Sequence, residues 1–564
     1  MSKEGKQKVV ATILVVAVMA TTIWIGILVG RKYEMIRTQK MMSQVASGVD
    51  IEQIDMSEYE SYITDLEKFY VGDDKVLQTI SAIRHHYIEK VDINMLYDKA
   101  ISGMLSALDP HSEYIPARDF DAVNESLEGE FDGIGIVFNA ATDTISVLNV
   151  IPQGPSDKAG VRAGDRVVRI DNRDVAGQGI PQDSMVRMMR GPRGSNVKLS
   201  ILRRGVDKLI DVDVVRDAIE VNSIETAFII DKREKIGFIR LSQFSRTSYA
   251  EICSAISKLR AEGMKSLILD LRSNSGGYLD QAILIANEFL PANKLIVYTE
   301  DKYGIQQREY SRGTGNATEL PLVVLVDELS ASSSEILAGA IQDNDRGLVI
   351  GRRTFGKGLV QAQMPFSDGS AMRLTVARYY TPTGRCIQKP YTNGEGLAYE
   401  MEIVDRYMHN EFFSADSIHF DDTMKFTTPG GRTVYGGGGI MPDIFIPLDT
   451  VGITPYYTKV WNTNTLFRYT LDFADRHRKE LDSVESLDDL DRLFGSVDLV
   501  EEFTDYAERA GIETNRKELA TSYDIISAQI RAYIGRNSLD DESGFYYNIY
   551  PIDNVMRRAV KELR

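Results

Sequence analysis

A cluster of serines, Ser330 and Ser332 to Ser334, lies between an apolar segment and a helical pattern. Residues 322–326 predict a buried strand, and residues 334–343 predict a helix. Ser332 therefore lies at a strand-to-helix turn, where free backbone N–H groups and the positive end of the helix dipole could stabilise an oxyanion. Serines at helix starts are also common N-caps, so this position alone leaves both interpretations open.

A nucleophilic serine needs a base. All six histidines lie outside residues 235–390, and there is no G-x-S-x-G elbow, which argues against a Ser-His-Asp triad. Lys357 is the alternative base, because burial disfavours the charged form of an amine. Its loop resembles part of a phosphate-binding P-loop, but Gly358 stands where that loop has Ser or Thr, and strand-like alternation follows instead of a helix.

Together these residues resemble the carboxyl-terminal processing proteases, a family of serine endopeptidases with a Ser-Lys dyad. The matching segments are S-A-S-S-S-E over 330–335 and T-F-G-K-G over 354–358. The resemblance implies that Ser332 is the nucleophile, Lys357 the general base and Gln361 the residue that orients the lysine. It implies no metal ion and no organic cofactor.

Two glycine-containing segments extend this resemblance. Residues 271–277, L-R-S-N-S-G-G, are similar to the family's L-R-x-N-P-G-G turn, with Ser275 in the place of the usual proline. The resemblance implies an oxyanion hole formed by the N–H groups of Gly277 and Ser333. The Gly-rich stretch 430–439, followed by Pro442 and Asp443, is similar to the family's closing segment.

Short β-like runs punctuated by glycine and proline fill residues 118–218, and this segment resembles a PDZ domain. The resemblance implies that Gly133, Ile134, Gly135 and Ile136 form the loop that binds a peptide carboxylate. A substrate C-terminus would then add a strand to the sheet edge. Arg190 matches a family arginine that couples the PDZ domain to the active site.

The remaining pattern predicts the elements that position these residues. Strand and helix patterns alternate from about residue 235, which indicates a mostly parallel sheet covered by helices. We therefore expect a protease core over 219–452, which the resemblance implies to be a ClpP/crotonase-like α/β fold, with the β-rich PDZ module inserted before it. Helical patterns predict an N-terminal domain over 74–117 and a C-terminal region over 453–564.

The N-terminal segment 9–30 is uncharged and apolar, and as a helix it would be roughly 33 Å long, enough to cross a bilayer. Three lysines precede it, which predicts a cytoplasmic N-terminus (1–8), a stalk (31–73) and an exported remainder. A cleaved signal peptide is the alternative, but its apolar core would be shorter. We expect a single-pass protein on the periplasmic side of a bacterial inner membrane.

The 564-residue chain has a net charge of −17, which argues against a nucleic-acid partner. Expected partners are peptides with accessible C-termini and a second copy or an adaptor protein. Cys253 and Cys386 are expected to be buried and reduced, although the sequence leaves a disulfide open. Two other functions remain open: a catalytically inactive PDZ scaffold, and a ligand-binding core such as that of the interphotoreceptor retinoid-binding protein.

Overall fold

The part of the chain that the structure describes begins with two helices. The computed structural model describes residues 75–564, apart from 140–143, 152, 537 and 540. Helices α1 (Lys75–His86) and α2 (Ile93–Ser106) confirm the helical pattern predicted over 74–108. The predicted membrane segment 9–30 and stalk 31–73 lie outside the described residues. Among the residues that are described, no helix is both long enough and apolar enough to cross a bilayer.

A β-rich module begins at residue 130. It confirms the β-rich character that was predicted for residues 118–218. Its elements and the two that precede it are β1 (Glu113–Ile115), α3 (Ala117–Glu128), β2 (Glu130–Gly133), β3 (Ile136–Asn139), β4 (Ile145–Val150), α4 (Pro155–Lys158), β5 (Arg166–Ile170), β6 (Arg173–Asp174), α5 (Gln182–Met189), β7 (Asn196–Leu202), β8 (Ile210–Val215) and β9 (Asp217–Glu220). The main sheet is antiparallel in the order β3-β4-β5-β7-β8, with β6 on β5, while β2 pairs with β9. The sequence pattern did not predict α3.

The segment after residue 220 alternates strands and helices as predicted. Its elements are β10 (Ile224–Asp231), β11 (Ile236–Leu241), α6 (Ser248–Ala261), β12 (Ser266–Asp270), α7 (Leu279–Phe289), β13 (Leu295–Asp301), β14 (Gln306–Tyr310), β15 (Leu322–Val326), α8 (Ser333–Asp343), β16 (Leu348–Gly351), β17 (Leu359–Pro365), β18 (Ala371–Tyr380), α9 (Gly396–Met408), β19 (Lys425–Thr427), β20 (Thr433–Tyr435) and β21 (Ile444–Phe445). The order of the main sheet is β10-β11-β12-β15-β16-β21. All of its neighbouring strands are parallel except β10 and β11, which confirms the mostly parallel sheet.

Both faces of the central strands are buried, as continuous apolar strands in a parallel sheet require. All five residues of β15 are buried. Side chains of α6, α7 and α8 pack against one face of the sheet. A second sheet, in the order β1-β18-β13-β14 with β17 on β18, lies beside this core. The loop between β16 and β17 therefore passes from the first sheet to the second, and it carries Lys357.

The C-terminal region is helical, as predicted for 453–564. Its helices are α10 (Pro455–Asn462), α11 (Thr465–Arg476), α12 (Arg478–Leu481), α13 (Leu487–Gly495), α14 (Leu499–Arg509), α15 (Arg516–Gly535), α16 (Ser543–Ile549) and α17 (Asn554–Leu563). Most of them share an apolar core of their own. Helix α17 instead buries Val555, Met556, Ala559 and Val560 against the second face of the core sheet. The last helix thus completes the layered core, whereas most of the helices before it pack around a core of their own.

Two details differ from the sequence-based expectations. Helix α9 was not predicted, although Arg406 within it is buried and donates hydrogen bonds to the main-chain oxygens of Arg353 and Thr354. Cys253 and Cys386 are free and half-buried, whereas full burial was expected. The predicted domain boundaries remain predictions.

Candidate active site

Ser332 lies at the turn between β15 and α8, as predicted, and its backbone is strained. Its φ of 53° and ψ of −114° belong to a region that residues other than glycine rarely adopt. Such strain persists only where surrounding contacts hold it, and it is typical of functional sites. The turn leaves Ser332 partly exposed at the N-terminus of α8, while Ser333 and Ser334 behind it are buried.

One carboxylate holds the Ser332 turn and the Lys357 loop together. Glu335 is fully buried in the first turn of α8. Its Oε2 accepts hydrogen bonds from the N–H groups of Ser332 and Lys357, both at 2.9 Å. Its Oε1 accepts from the Thr354 hydroxyl at 2.5 Å and from the Gly356 N–H at 2.7 Å. Four donors from two loops therefore converge on a single side chain.

Tyr379 makes a second connection between the same two residues. Its side chain is 1% exposed, and its hydroxyl lies 3.1 Å from the main-chain oxygen of Ser332 and 2.5 Å from that of Lys357. Burial and the Glu335 charge hold the pKa of this phenol well above its usual range, so the hydroxyl stays a donor. Glu335 and Tyr379 together fix the peptide units of Ser332 and Lys357 from both the N–H and the C=O sides.

Lys357 has the environment of a lysine that gives up its proton readily. Its side chain is half-buried, and no carboxylate in the described part of the chain lies within ion-pair distance of its Nζ. Burial and, next, the positive charge of Arg373 lower its pKa, against the smaller opposing effects of Glu113, Glu335 and Asp109. A neutral amine is the form that can act as a base.

Ser332, Lys357 and Gln361 line one cleft of about 990 Å³. The walls come from α3 and β2 on one side and from the core on the other. Gln361 donates to the Thr375 hydroxyl at 3.4 Å, and Thr375 in turn donates to Asp109 at 3.0 Å. Asp109 also accepts hydrogen bonds from Ser112 at 2.6 Å and from the His111 N–H at 2.9 Å. Gln361 is thus oriented by Thr375, which is itself held by Asp109, a residue that precedes the protease core in the sequence.

The Gly276–Gly277 turn packs directly against Ser332. A Cβ on Gly276, whose φ is +103°, would lie 2.7 Å from the Cβ of Ser332 and 3.0 Å from the nitrogen of Ser333. A Cβ on Gly277 would lie 2.2 Å from the main-chain oxygen of Phe244. Only glycine fits at either position, and the close approach brings the turn to the N-terminus of α8. Ser333 is the first residue of that helix, so its N–H has no acceptor within the helix.

His111 lies nearer to the dyad than its sequence position indicates. Burial and the Lys357 charge lower its pKa to about 4, so it is neutral at physiological pH. Its Nε2 lies 3.1 Å from the Tyr399 hydroxyl. His111 lies outside residues 235–390 in the sequence, yet the fold brings it close enough to feel the charge of Lys357. His111 is not among the residues that line the cleft with Ser332.

The β-rich module contacts the wall of the cleft through Arg190. This residue forms an ion pair with Glu125 on α3, and its guanidinium lies 4.6 Å from the centre of the Phe131 ring on β2. Both contact residues line the cleft. The 133–136 segment joins β2 to β3, and its Ile134 oxygen accepts from the Ser156 N–H at 2.9 Å. Among the described strands β3 pairs only with β4, which leaves its other edge open.

Comparisons with known proteins agree with this architecture. The model of peptidase family S41 matches residues 235–401, and the PDZ domain model matches residues 133–214. The carboxy-terminal-processing protease of Bartonella bacilliformis is 40% identical over 372 residues, which cover 65% of this chain and 82% of that protein. The chain belongs to the carboxy-terminal-processing protease family. It is therefore a serine-type peptidase with a PDZ domain.

Other family members and matches cover further parts of the chain. The carboxy-terminal processing protease CtpA of Bacillus subtilis is 35% identical over 317 residues, which cover 56% of this chain and 66% of that protein. A solved photosystem II D1 C-terminal processing protease is 25% identical, with 71% of this chain and 94% of that chain covered and a TM-score of 0.36. The model of the activating protease CtpB N-terminal domain matches residues 25–118, and a family of unknown function matches residues 456–540.

The sequence patterns did not predict the residues that hold Ser332 and Lys357 in place. Glu335 carries a local signal, because serine followed three residues later by glutamate is the spacing of a capping box. Tyr379 and Asp109 carry no such signal, since each reaches the dyad only through strand pairing in the second sheet. Gln361, Gly277 and Ser333 lie around Ser332 and Lys357, but their catalytic roles stay predictions.

Proposed function

We propose that this peptidase is a membrane-anchored endopeptidase that recognises the C-termini of exported proteins through its PDZ domain and cleaves them with a Ser332–Lys357 dyad. The observation that carries the proposal is the shared cleft. A serine on a strained turn, a half-buried lysine and the Gly277 turn all line it. The lowered pKa of Lys357 supports the base role.

The proposed mechanism begins with neutral Lys357. Its amine takes the proton of the Ser332 hydroxyl as the oxygen attacks the substrate carbonyl. The resulting oxyanion accepts hydrogen bonds from the N–H groups of Gly277 and Ser333, each worth about 3–4 kcal/mol of transition-state stabilisation. The protonated lysine then gives its proton to the leaving amine, and water hydrolyses the acyl-enzyme. Gln361 keeps the amine directed at the serine.

Substrate delivery is assigned to the PDZ domain. The substrate carboxylate binds the 133–136 segment, and the preceding residues add a strand to the open edge of β3. Through its contacts with α3 and β2, Arg190 couples peptide binding at the PDZ domain to the wall of the cleft. The support for this step is the pair of contacts that Arg190 makes with Glu125 and Phe131.

The apolar segment 9–30 anchors the chain, so the described domains face the periplasm. The helical residues 453–564 offer a surface for self-association or for an adaptor protein. The mostly parallel core sheet supports a ClpP/crotonase-like arrangement. Anchoring predicts that the full chain fractionates with membranes and that a chain starting at residue 31 does not.

The catalytic proposal is tested by cleavage of fluorescein-labelled β-casein by the full chain in detergent. Ser332→Ala and Lys357→Met should each reduce the rate by at least about a thousandfold, because a dyad fails when either member is lost. Lys302→Met is the matched control, since Lys302 is an exposed lysine outside the cleft. Wild-type activity should rise with pH as the Lys357 amine loses its proton.

Two results would contradict this assignment. A Lys357→Met variant with near wild-type turnover would exclude the lysine as the base. A wild-type chain that binds C-terminal peptides but neither cleaves casein nor reacts with a fluorophosphonate at Ser332 would instead favour the PDZ scaffold. Natural substrates follow from a comparison of protein C-termini in wild-type cells and in a Ser332→Ala strain.

A further inference from the structure

A fixed positive charge, Arg373, lines the same cleft as the dyad. It lies on β18, where its cross-strand partners are Glu113 on β1 and Gln363 on β17. Its guanidinium donates to the Glu113 carboxylate at 2.7 Å and to the Gln363 side chain at 3.1 Å. Contacts from both neighbouring strands hold the cation at the cleft.

Within the described part of the chain, the charged groups with the largest influence on Lys357 are Arg373, Glu113, the fully buried Glu335 and Asp109. Other charged residues line the same cleft: Glu125, Glu128, Glu130, Asp132, Arg193 and Arg246. His111 is close enough to feel the Lys357 charge, but its pKa of about 4 leaves it neutral. The second buried lysine, Lys389, is neutralised by Glu402 at 2.9 Å. The balance at Lys357 is therefore set mainly by one cation against three carboxyl groups.

Arg373 and Glu113 do not cancel each other at Lys357. The Arg373 side chain is 24% exposed, whereas that of Glu113 is 53% exposed. Water screens the more exposed charge more strongly, so the field of the arginine reaches further into the cleft. In agreement, Arg373 is the largest electrostatic influence on the Lys357 pKa after burial, and it lowers that pKa.

We propose that Arg373 is a positioning residue of the hydrolytic site: its fixed charge keeps the Lys357 amine neutral and ready to accept the Ser332 proton. This inference rests on the proposed Ser-Lys mechanism. It gives the short strand β1, which lies outside the matched peptidase segment 235–401, a part in catalysis. Glu113, which is paired with Arg373, partly offsets the electrostatic effect of Arg373 on Lys357.

The test is the pH dependence of kcat/KM for labelled β-casein with the full chain. Arg373→Gln should move the acid limb to higher pH, because Lys357 then loses the repulsion that favours its neutral form. On that limb the rate should fall about three- to tenfold, and at high pH it should return to the wild-type plateau. Glu113→Gln should move the limb in the opposite direction, and Arg373→Lys should restore the wild-type profile.

The control is Arg378→Gln on the same strand, because Arg378 is not among the groups that influence Lys357. Its profile should match the wild type. A fall of equal size at every pH in Arg373→Gln would mean substrate binding or structural damage, and it would overturn the inference. The inference would also be overturned if the acid limb of the pH profile stayed unchanged in both Arg373→Gln and Glu113→Gln. Failure of the dyad itself is distinguished separately, because Lys357→Met would then remain active.

Discussion

Replacing Glu335 by glutamine tests whether one carboxylate holds the two residues of the proposed dyad, Ser332 and Lys357, in their relative positions. Glutamine is nearly isosteric, but one of its two polar atoms is a donor. If the amide oxygen keeps the N–H groups of Ser332 and Lys357, the NH₂ group faces the Thr354 hydroxyl, which can accept, and the Gly356 N–H, which cannot. The better orientation therefore leaves one buried N–H without a partner, at a cost of about 1–3 kcal/mol.

Glutamine also avoids the cost of burying an ionised carboxylate, and this gain offsets the lost hydrogen bond. Burial raises the pKa of Glu335 to about 7, from an ordinary value of 4.5. Because the folded pKa is the higher one, stability contributed by the protonated carboxyl is lost as pH rises from about 4.5 through about 7. At neutral pH the ionised group costs up to about 3 kcal/mol, and glutamine avoids that cost. The variant should therefore fold, with a flatter dependence of unfolding free energy on pH.

Catalysis lacks this compensation. A hydrogen bond to a charged group contributes about 1.5–3 kcal/mol, and its loss lets the Lys357 loop move relative to Ser332. If this loss raises the activation free energy by the same amount, kcat falls about 10- to 100-fold. The assays are casein cleavage and urea unfolding over the same pH range.

Glu328→Gln is the matched control for this experiment. Glu328 forms an ion pair with Arg352 at 2.6 Å in the turn just before the serines. Its loss should lower stability without changing kcat per folded molecule. The reasoning about Glu335 fails if Glu335→Gln keeps kcat within about twofold of wild type.

Three further substitutions test other contacts. Tyr379→Phe removes the hydroxyl that lies within hydrogen-bond distance of the main-chain oxygens of Ser332 and Lys357, so kcat should fall about tenfold with little change in KM. Arg190→Ala breaks the contact between the PDZ domain and the cleft wall; casein cleavage should fall while fluorophosphonate labelling of the serine persists. Asp553 forms an ion pair with Arg272 at 2.8 Å. Asp553→Asn removes this charged partner, so the free energy of unfolding in urea should fall by about 1.5–3 kcal/mol.

Each of these changes has a neighbouring control. Tyr380→Phe retains the ring stacked on Tyr298 at 4.8 Å and should leave kcat unchanged. Arg187→Ala alters an exposed arginine on α5, the helix that ends just before Arg190, and should not affect casein cleavage. Asp488→Asn removes an exposed pair with Lys232 and should change stability by less than about 1 kcal/mol. Equal effects in a control and its test variant would contradict the corresponding explanation.

Local patterns predicted the regular elements well where burial was continuous. The apolar run 322–326 is a strand with the predicted ends. Helix α9 was missed because its buried contacts lie on distant loops: Lys389 binds Glu402 across the turn, and Arg406 binds the Lys357 loop. A helix held by such contacts leaves little trace in local periodicity.

The sequence by itself determined the candidates for chemistry, because those depend on residue type and short spacing. Ser332 before a helix, Lys357 between glycines and the Gly276–Gly277 turn can all be recognised in an extended chain. Only the tertiary structure decided that they share a cleft, since the serine and the lysine lie on loops that leave different strands. It also decided which groups tune them, because Tyr379, Asp109 and Arg373 reach the site through pairing between strands far apart in sequence.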